Sequence, residues 1–211
     1  MKIEEYSING EIIQIPIPEN YRDCMTLVQS DVYRKTGRVK SPLSIIVSEL
    51  NPLKQSLLFL LRLSSYKGWL YPLFRLMYEY TSRRANVQIS PKTKIGYGLN
   101  LGHAICIVVN YQTIIGNNVN LSQFLNIGTN HENPAIIGNN VWIGPHVCIV
   151  ENVRVQSESS IGAGAIVTKD VPHKATVAGV PAKVLNYNNP GRYIGHRWPL
   201  IDIDGKENNN N

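Results

Sequence analysis

The sequence has few of the residues that mark disulfide-rich, zinc-binding or membrane-spanning proteins. Its three cysteines, Cys24, Cys106 and Cys148, are too few and too far apart for a disulfide framework or a zinc knuckle, and we expect each to be a small buried apolar residue. The longest apolar run, residues 57–61, ends at Arg62 and is too short to span a bilayer. The first ten residues lack an apolar signal core, so we expect a cytoplasmic protein.

Strong charge of either sign is also missing. Lysine and arginine number 21 against 15 acidic residues, a net charge of +6, and no block of basic residues dominates. This balance favours anionic small molecules or anionic surfaces as partners and argues against nucleic acid. Hydrophobic residues make up 43% of the chain, which is enough for a sizeable core and argues against global disorder.

What the sequence has in abundance is a six-residue repeat of aliphatic anchors. The anchors are Ile115, Leu121 and Ile127 and, after a gap of ten residues, Ile137, Ile143, Ile149, Val155, Ile161 and Val167; upstream they are Ile89, Ile95, Leu101 and Ile107, before a slip of two residues. Glycine follows five of the nine anchors from Ile115 to Val167, where we expect it to relieve strain in a turn. A period of six fits neither a helix nor simple alternation. It predicts short strands, three to a coil, stacked over one aliphatic column; the alternative is an ordinary sandwich of short strands.

Residues outside the repeat divide into two further segments. Residues 1–85 predict a small α-helical domain packed on the coils, with two or more amphipathic helices split near Lys67 and Gly68. These helices have a basic side, formed by Arg62, Lys67, Arg75, Arg83 and Arg84. The alternative role for this basic and aromatic surface is peripheral contact with a membrane. Residues 186–211 predict a polar, frayed tail.

Two histidines coincide with irregularities in this pattern. His103 stands in the apolar run NLGHAICIVVN, which by itself favours a core histidine satisfied by a hydrogen bond. His131 lies in GTNHENPA, where the gap of ten residues predicts a protruding loop. His146 has the position of an exposed turn residue, and His173 and His196 are assigned no role.

Several motifs resemble those of a known family. IGNNVWIGPHVCIV, IGAGAIVTKDVP and VAGVPAKVL resemble the hexapeptide-repeat acyltransferases. GHAICIVVN followed by a loop histidine resembles the serine-acetyltransferase branch, including short relatives among capsule and O-antigen enzymes. The resemblance implies a left-handed parallel β-helix of about four to five coils over residues 86–185, behind an N-terminal helical segment. It also implies a homotrimer.

The resemblance also implies roles for individual residues. It implies that His103 is the general base, which takes the proton of an acceptor hydroxyl as that oxygen attacks the thioester of acetyl-CoA. It implies that His131 helps to bind the acceptor, and no metal is expected. The residues that match the cofactor region, in the groove between subunits, are Gly144, Ala163, Gly164, Lys169 and Lys183.

Three departures from the serine enzymes bear on the acceptor. Gly102 stands where they have an aspartate, Gln88 where they have an acidic residue that orients the catalytic histidine, and Asn130 where they have an arginine. An amino-acid acceptor carries two charges that need partners, whereas amides such as Gln88, Asn110 and Asn130 suit sugar hydroxyls. We therefore expect a glycan acceptor, with serine as the alternative.

Two alternatives from other functional classes stay open. Carbonic anhydrases with a β-helix hold zinc through three histidines across an interface, and His103, His131 and His146 are candidates for such a set. The replacements at Gly102 and Gln88 also allow a β-helical scaffold that has lost its chemistry.

Overall fold

The computed structural model of the chain describes residues 1–49, 57–129, 133–150 and 152–199. A two-stranded antiparallel hairpin comes first, β1 (Lys2–Ile8) and β2 (Glu11–Ile17). Four helices follow: α1 (Tyr21–Thr36), α2 (Pro42–Glu49), α3 (Leu57–Leu63) and α4 (Tyr71–Ala85). The split expected near Lys67 and Gly68 is confirmed, because α3 ends before these residues and α4 begins after them.

The hairpin corrects the expectation of a purely helical segment over residues 1–85. Its turn is the pair Asn9 and Gly10, whose φ angles are 47° and 89°. Asn-Gly is the pair that two-residue hairpin turns prefer, because both positions require a positive φ. This local signal was present in the sequence. The hairpin packs on the coils through Ile8, Ile13 and Ile15.

The rest of the chain forms a three-sided parallel β-helix of four to five coils, as predicted. The first sheet holds β3 (Gln88–Ile89), β6 (Val108–Val109), β9 (Asn126–Ile127), β12 (Cys148–Ile149) and β15 (Ile166–Val167). The second holds β4 (Lys94–Ile95), β7 (Ile114–Ile115), β10 (Ile136–Ile137) and β13 (Arg154–Val155). The third holds β5 (Asn100–Leu101), β8 (Asn120–Leu121), β11 (Trp142–Ile143), β14 (Ser160–Ile161), β16 (Thr176–Ala178) and the antiparallel β17 (Lys183–Asn186). The second residue of each two-residue strand is buried, which produces the continuous aliphatic column.

One anchor is two residues away from its predicted position. Val109, not Ile107, is the strand residue that pairs in register with Ile89 and Ile127. Eight residues therefore separate the anchors Leu101 and Val109, and the two extra residues fall in the turn that contains His103. The sequence did not distinguish the two registers, since Ile107 and Val109 are both buried.

The glycines after the anchors relieve crowding between coils, which corrects the expected explanation from turn strain. Gly116, Gly138, Gly144 and Gly162 do not have a positive φ. A Cβ atom on Gly138 would lie 2.6 Å from the amide nitrogen of Ser157 in the next coil, and one on Gly144 would lie 2.9 Å from that of Ala163. The left-handed turn positions instead carry other residues, among them Asn118, Phe124, Asn140, His146 and Glu158.

Two of the three sheets are covered by other parts of the same chain. The hairpin covers the second sheet, where Ile8, Ile13 and Ile15 cluster with Ile114. The C-terminal segment covers the third sheet, where the rings of Tyr193 and Trp142 are 4.5 Å apart. The tail expected to be frayed is therefore held on the coils around Tyr193 and the buried Ile194, and residues 200–211 lie outside the described residues. The first sheet instead presents the exposed side chains of Gln88 and Asn126.

The basic side expected of the helices is smaller than the sequence indicated. Arg62 is 3% exposed and pairs with Asp31 in the interior. Arg75 pairs with Glu79 on the surface. Among the three cysteines, Cys24 is buried as expected, whereas Cys106 and Cys148 are half-buried.

Candidate active site

His103 lies in the enlarged turn between β5 and β6. The φ angles of His103, Ala104 and Cys106 are 58°, 26° and 52°, so the two extra residues are accommodated by a left-handed backbone. The side chain of His103 is exposed. The alternative of a core histidine is therefore wrong, because the insertion pushes this residue out of the aliphatic column.

The turn is held by its backbone and leaves several groups free to bind a ligand. The Cys106 amide donates to the carbonyl of Ala85 (3.1 Å), and the carbonyl of Ile105 accepts from the amide of Phe124 (3.2 Å). Over the described residues, no hydrogen bond is made by the imidazole of His103 or by the amides of Ala104 and Ile105. An imidazole with two unfilled backbone donors beside it can combine proton transfer with binding of an oxyanion.

The turns between the third and first sheets stack into one column, which we term the His103 edge. It comprises residues 102–107, 122–125, 144–147 and 162–165. Phe124 and His146 occupy equivalent positions in successive coils, and their rings stack 4.6 Å apart with planes inclined by 12°. Phe124 was missed by the sequence analysis, although it stands three residues after its anchor, as His146 does.

The spacing along this edge bears on the zinc alternative. His103 and His146 belong to coils two steps apart, roughly 10 Å at the usual strand spacing. The ring of Phe124 comes from the coil between them and stacks on that of His146. Within the part of the chain that the structure describes, no cluster of three or more potential metal ligands is found, and His131 lies outside the described residues.

Of the five residues matched to the cofactor region, three belong to the same edge and a fourth lies beside its last turn. Gly144, Ala163 and Gly164 belong to its third and fourth turns, and Lys183 begins β17 opposite Ala178, the last residue of β16. Lys169 differs, because it follows β15 and lies where the chain passes from the first sheet to the second. The turns between the first and second sheets form a second column, which we term the loop edge. Its described residues are 90–93, 110–113, 128–129, 133–135, 150, 152–153 and 168–170. The two lysines therefore flank opposite margins of the first sheet, and both are exposed.

Gln88 and Asn110 lie together in a groove of about 710 Å³ between α4 and the first sheet. The groove is also lined by Arg83, Asn86 and Tyr111, which the sequence analysis did not select. The Asn110 side-chain oxygen accepts from the amide of Gln112 (2.9 Å), which leaves its amino group to donate. His103 does not line this groove, so one chain does not bring these amides to the imidazole.

Asn130 and His131 lie outside the described residues. The described residues on either side belong to the loop edge, where the carbonyls of Asn133 and Pro134 accept from the amide of Asn152 (2.8 Å) and from Arg154 (2.9 Å). The six-residue register resumes at Ile137, as predicted, so the insertion leaves the coils undisturbed.

The repeat in these coils matches a known family. Residues 134–169 match the family described as bacterial transferase hexapeptide (six repeats). The coils over these residues are therefore similar to the hexapeptide repeats of bacterial transferases. This confirms the resemblance drawn from the motifs of the sequence.

Individual acetyltransferases are similar to part of the chain. The chain is 36% identical over 115 residues to serine acetyltransferase 3, mitochondrial, of Arabidopsis thaliana, covering 52% of this chain and 29% of that protein. It is 35% identical over 118 residues to galactoside O-acetyltransferase of Escherichia coli strain K12, covering 52% of this chain and 58% of that protein. The chain spans less than two thirds of either relative. A serine acetyltransferase of Brucella abortus strain S19 in complex with coenzyme A aligns with a TM-score of 0.58 and 27% identity, covering 79% of this chain and 68% of that one.

Proposed function

We propose that this hexapeptide-repeat protein is an O-acetyltransferase that uses acetyl-CoA as donor and His103 as general base. The observation that carries the proposal is the exposed imidazole of His103 on the same edge as Gly144, Ala163, Gly164 and Lys183. Similarity to two acetyltransferases and to a structure with bound coenzyme A supports the donor.

The proposed chemistry uses groups that the enlarged turn leaves free. The imidazole of His103 takes the proton from the acceptor hydroxyl as the oxygen attacks the thioester carbonyl, since an alcohol is a weak nucleophile at neutral pH. The amides of Ala104 and Ile105 are candidate donors to the tetrahedral oxyanion. When that intermediate collapses, the carbon–sulfur bond breaks and the imidazolium returns its proton to the thiolate of coenzyme A. The products are the acetyl ester and free coenzyme A.

We propose further that the active unit is a homotrimer with the site between chains. The uncovered first sheet separates the His103 edge from the loop edge, so within one chain His103 and the described residues that flank the His131 loop lie at opposite margins of this sheet. A neighbouring chain on this sheet would bring its own loop edge to His103. The imidazole of His103 has no hydrogen-bond partner among the described residues, which supports a contribution to the site from a neighbouring chain.

We propose a sugar hydroxyl, of a surface polysaccharide or its precursor, as the acceptor. Gln88 and Asn110 are neutral, and Gly102 and Asn130 lack the charges expected for binding an amino acid. The similarity to a galactoside O-acetyltransferase supports this class. Serine is the second candidate, because the other two relatives named above are serine acetyltransferases and favour it about as well.

An acceptor screen with acetyl-CoA tests the proposal. Free thiol release is measured with L-serine, simple galactosides, nucleotide sugars and capsule fragments, and His103→Ala serves as the inactive control. A serine kcat/KM of about 10⁴ M⁻¹s⁻¹ or more, within the ordinary enzyme range, would replace the sugar with serine. Failure to bind coenzyme A would favour the scaffold, and stoichiometric zinc with hydration of carbon dioxide would favour the carbonic-anhydrase alternative.

The role proposed for His131 needs a separate experiment. An imidazole that binds the acceptor affects the acceptor KM, whereas the affinity for acetyl-CoA stays nearly constant. Steady-state kinetics of His131→Ala, with both substrates varied, measure the two effects. A matching loss of acetyl-CoA affinity would instead assign His131 to cofactor binding.

A further inference from the structure

Helix α4 has two apolar faces, and the protein covers one of them. Phe74, Tyr78 and Ala85 contact the core of the coils and α3. On the other side the exposed fractions are 51% for Leu73, 70% for Leu76, 42% for Met77 and 61% for Tyr80. These four residues have the spacing i, i+3, i+4 and i+7, which aligns them along one side of a helix. A second apolar face of this kind is not needed to hold the helix in place.

Trp69 lies in the turn just before the helix, next to the N-cap residue Leu70. Its side chain is 83% exposed and stands four positions before Leu73. We use the name α4 stripe for Trp69, Leu73, Leu76, Met77 and Tyr80. Large amphipathic aromatic side chains are enriched where protein meets the boundary between lipid and water. Four exposed apolar residues in line on one helix, with a tryptophan just before it, are more than the scattered exposed apolar residues of an ordinary surface.

Basic residues stand at both ends of the stripe. Lys67 precedes Trp69, and Arg83 and Arg84 lie in the last turn of α4; all three are exposed. The guanidinium of Arg84 donates to the hydroxyl of Tyr80 (2.8 Å) and lies 5.5 Å from the centre of its ring. The acidic residue of α4, Glu79, pairs with Arg75 and, more distantly, with Arg83 (3.8 Å), so that this helix carries three arginines against one carboxylate. The stripe therefore presents apolar area and positive charge together.

This charge pattern distinguishes between the two simplest occupants of the stripe. A second α4 stripe, packed parallel or antiparallel, would place basic ends against basic ends. A surface of anionic lipid head groups supplies the opposite charge at both ends and accepts the apolar residues between them. Among the described helices none is long and apolar enough to cross a membrane.

We propose that the α4 stripe docks the protein on membranes that contain anionic lipids. Leu73, Leu76 and Met77 enter the boundary between head groups and acyl chains, Trp69 and Tyr80 lie at its level, and Arg83 and Arg84 contact the phosphates. The inference does not depend on the acetyltransferase activity.

Binding to vesicles tests the proposal on the full chain. The probes are vesicles of phosphatidylcholine with and without phosphatidylglycerol, and the readouts are cosedimentation and the emission of Trp69, which should shift to shorter wavelength on binding. Trp69→Phe assigns that shift, because the other tryptophans are Trp142 and Trp198. We expect binding that depends on phosphatidylglycerol and weakens with added salt.

Matched variants separate the stripe from other exposed apolar residues. Leu76→Glu should weaken binding by about tenfold or more. The control Leu185→Glu changes a leucine of similar exposure (62%) on β17 and should bind like wild type. Arg83→Gln with Arg84→Gln should weaken binding more than about tenfold, since each basic residue near an anionic surface contributes roughly fivefold.

Three results would overturn the proposal. The first is wild-type protein that stays in the supernatant with phosphatidylglycerol vesicles. The second is equal loss of binding in Leu76→Glu and Leu185→Glu. The third is a change of mass in light scattering for Leu76→Glu without vesicles, together with unchanged vesicle binding, which would assign the stripe to a second copy of the chain.

Discussion

Asp31 and Arg62 form a two-bond ion pair in the interior between α1 and α3. The guanidinium Nε and Nη2 atoms donate to the two carboxylate oxygens over 2.8 and 2.9 Å, and both side chains are 4% exposed. Arg62 also donates to the carbonyls of Ile95 and Gly96, while Asp31 accepts from the amide of Leu99. The pair thus joins both helices to the coil that leads to His103.

Breaking this pair should destabilise the protein strongly. Arg62→Met leaves the Asp31 carboxylate buried without its partner, so we expect a loss of about 3–5 kcal/mol in the free energy of unfolding. Arg75→Met removes an arginine from a surface pair and should cost less than about 1 kcal/mol. Urea denaturation measures both variants. Equal losses in the free energy of unfolding would mean that the buried pair contributes no more to stability than the surface pair.

Removing the His103 imidazole should affect chemistry and spare cofactor binding. His103→Ala should lower kcat by on the order of 10²–10⁴, the usual contribution of a general base. His146→Ala is the matched control, because this histidine is exposed on the same edge with the same φ of 58°. Its kcat should stay within about threefold of wild type. Titration with coenzyme A checks that both variants still bind it. A larger loss of kcat in His146→Ala than in His103→Ala would make His146 the general base.

Substitution of Lys169 and Lys183, which lie on opposite margins of the first sheet, tests whether the proposed coenzyme A site lies between chains. If coenzyme A occupies a groove built by two chains, Lys169→Ala and Lys183→Ala should each weaken its binding by about two- to fivefold, as for exposed charges. Lys174→Ala changes a lysine between the second and third sheets and should have no effect. Isothermal titration gives the affinities. An effect of Lys183→Ala without one of Lys169→Ala would indicate a site within a single chain, as would a monomer of 23.7 kDa in light scattering.

The glycine columns should be sensitive to a single methyl group. Gly138→Ala places a Cβ atom 2.6 Å from the amide nitrogen of Ser157, and we expect about 1–3 kcal/mol of destabilisation from overpacking. At Gly102 the nearest atom to an added Cβ is 3.7 Å away, so Gly102→Ala should stay within about 0.5 kcal/mol. Thermal unfolding compares the two variants. A stable Gly138→Ala would mean that the coils can separate locally at little cost.

The repeating part of the fold follows from local sequence. Each anchor has its partners one coil away at a nearly constant spacing, so the period of six determines both the strands and their stacking. The insertion after Ile127 was also visible, because it interrupts a count that resumes at Ile137. The motif around Ile143 and Ile161 was sufficient to identify the hexapeptide repeat before any geometry was known.

The position of the enlarged turn needed the tertiary structure. Ile107 and Val109 are both apolar and buried, since each coil has two inward positions per strand, and the sequence therefore allowed either register. Pairing of Val109 with Ile89 and Ile127 decides between them. The choice matters for function, because it places the two extra residues around His103 and exposes its imidazole.

Contacts distant in sequence explain the remaining differences. Arg62 is a charged residue of the type usually found at the surface, and its burial depends on Asp31, thirty-one positions earlier. The described part of the polar tail packs on the third sheet through Tyr193, whose ring contacts that of Trp142. By itself the sequence determined the coils, the break before α4 and the candidate base. The tertiary structure decided which sheet stays open and which helix face lacks a partner, because burial of a residue depends on what the folded chain brings against it.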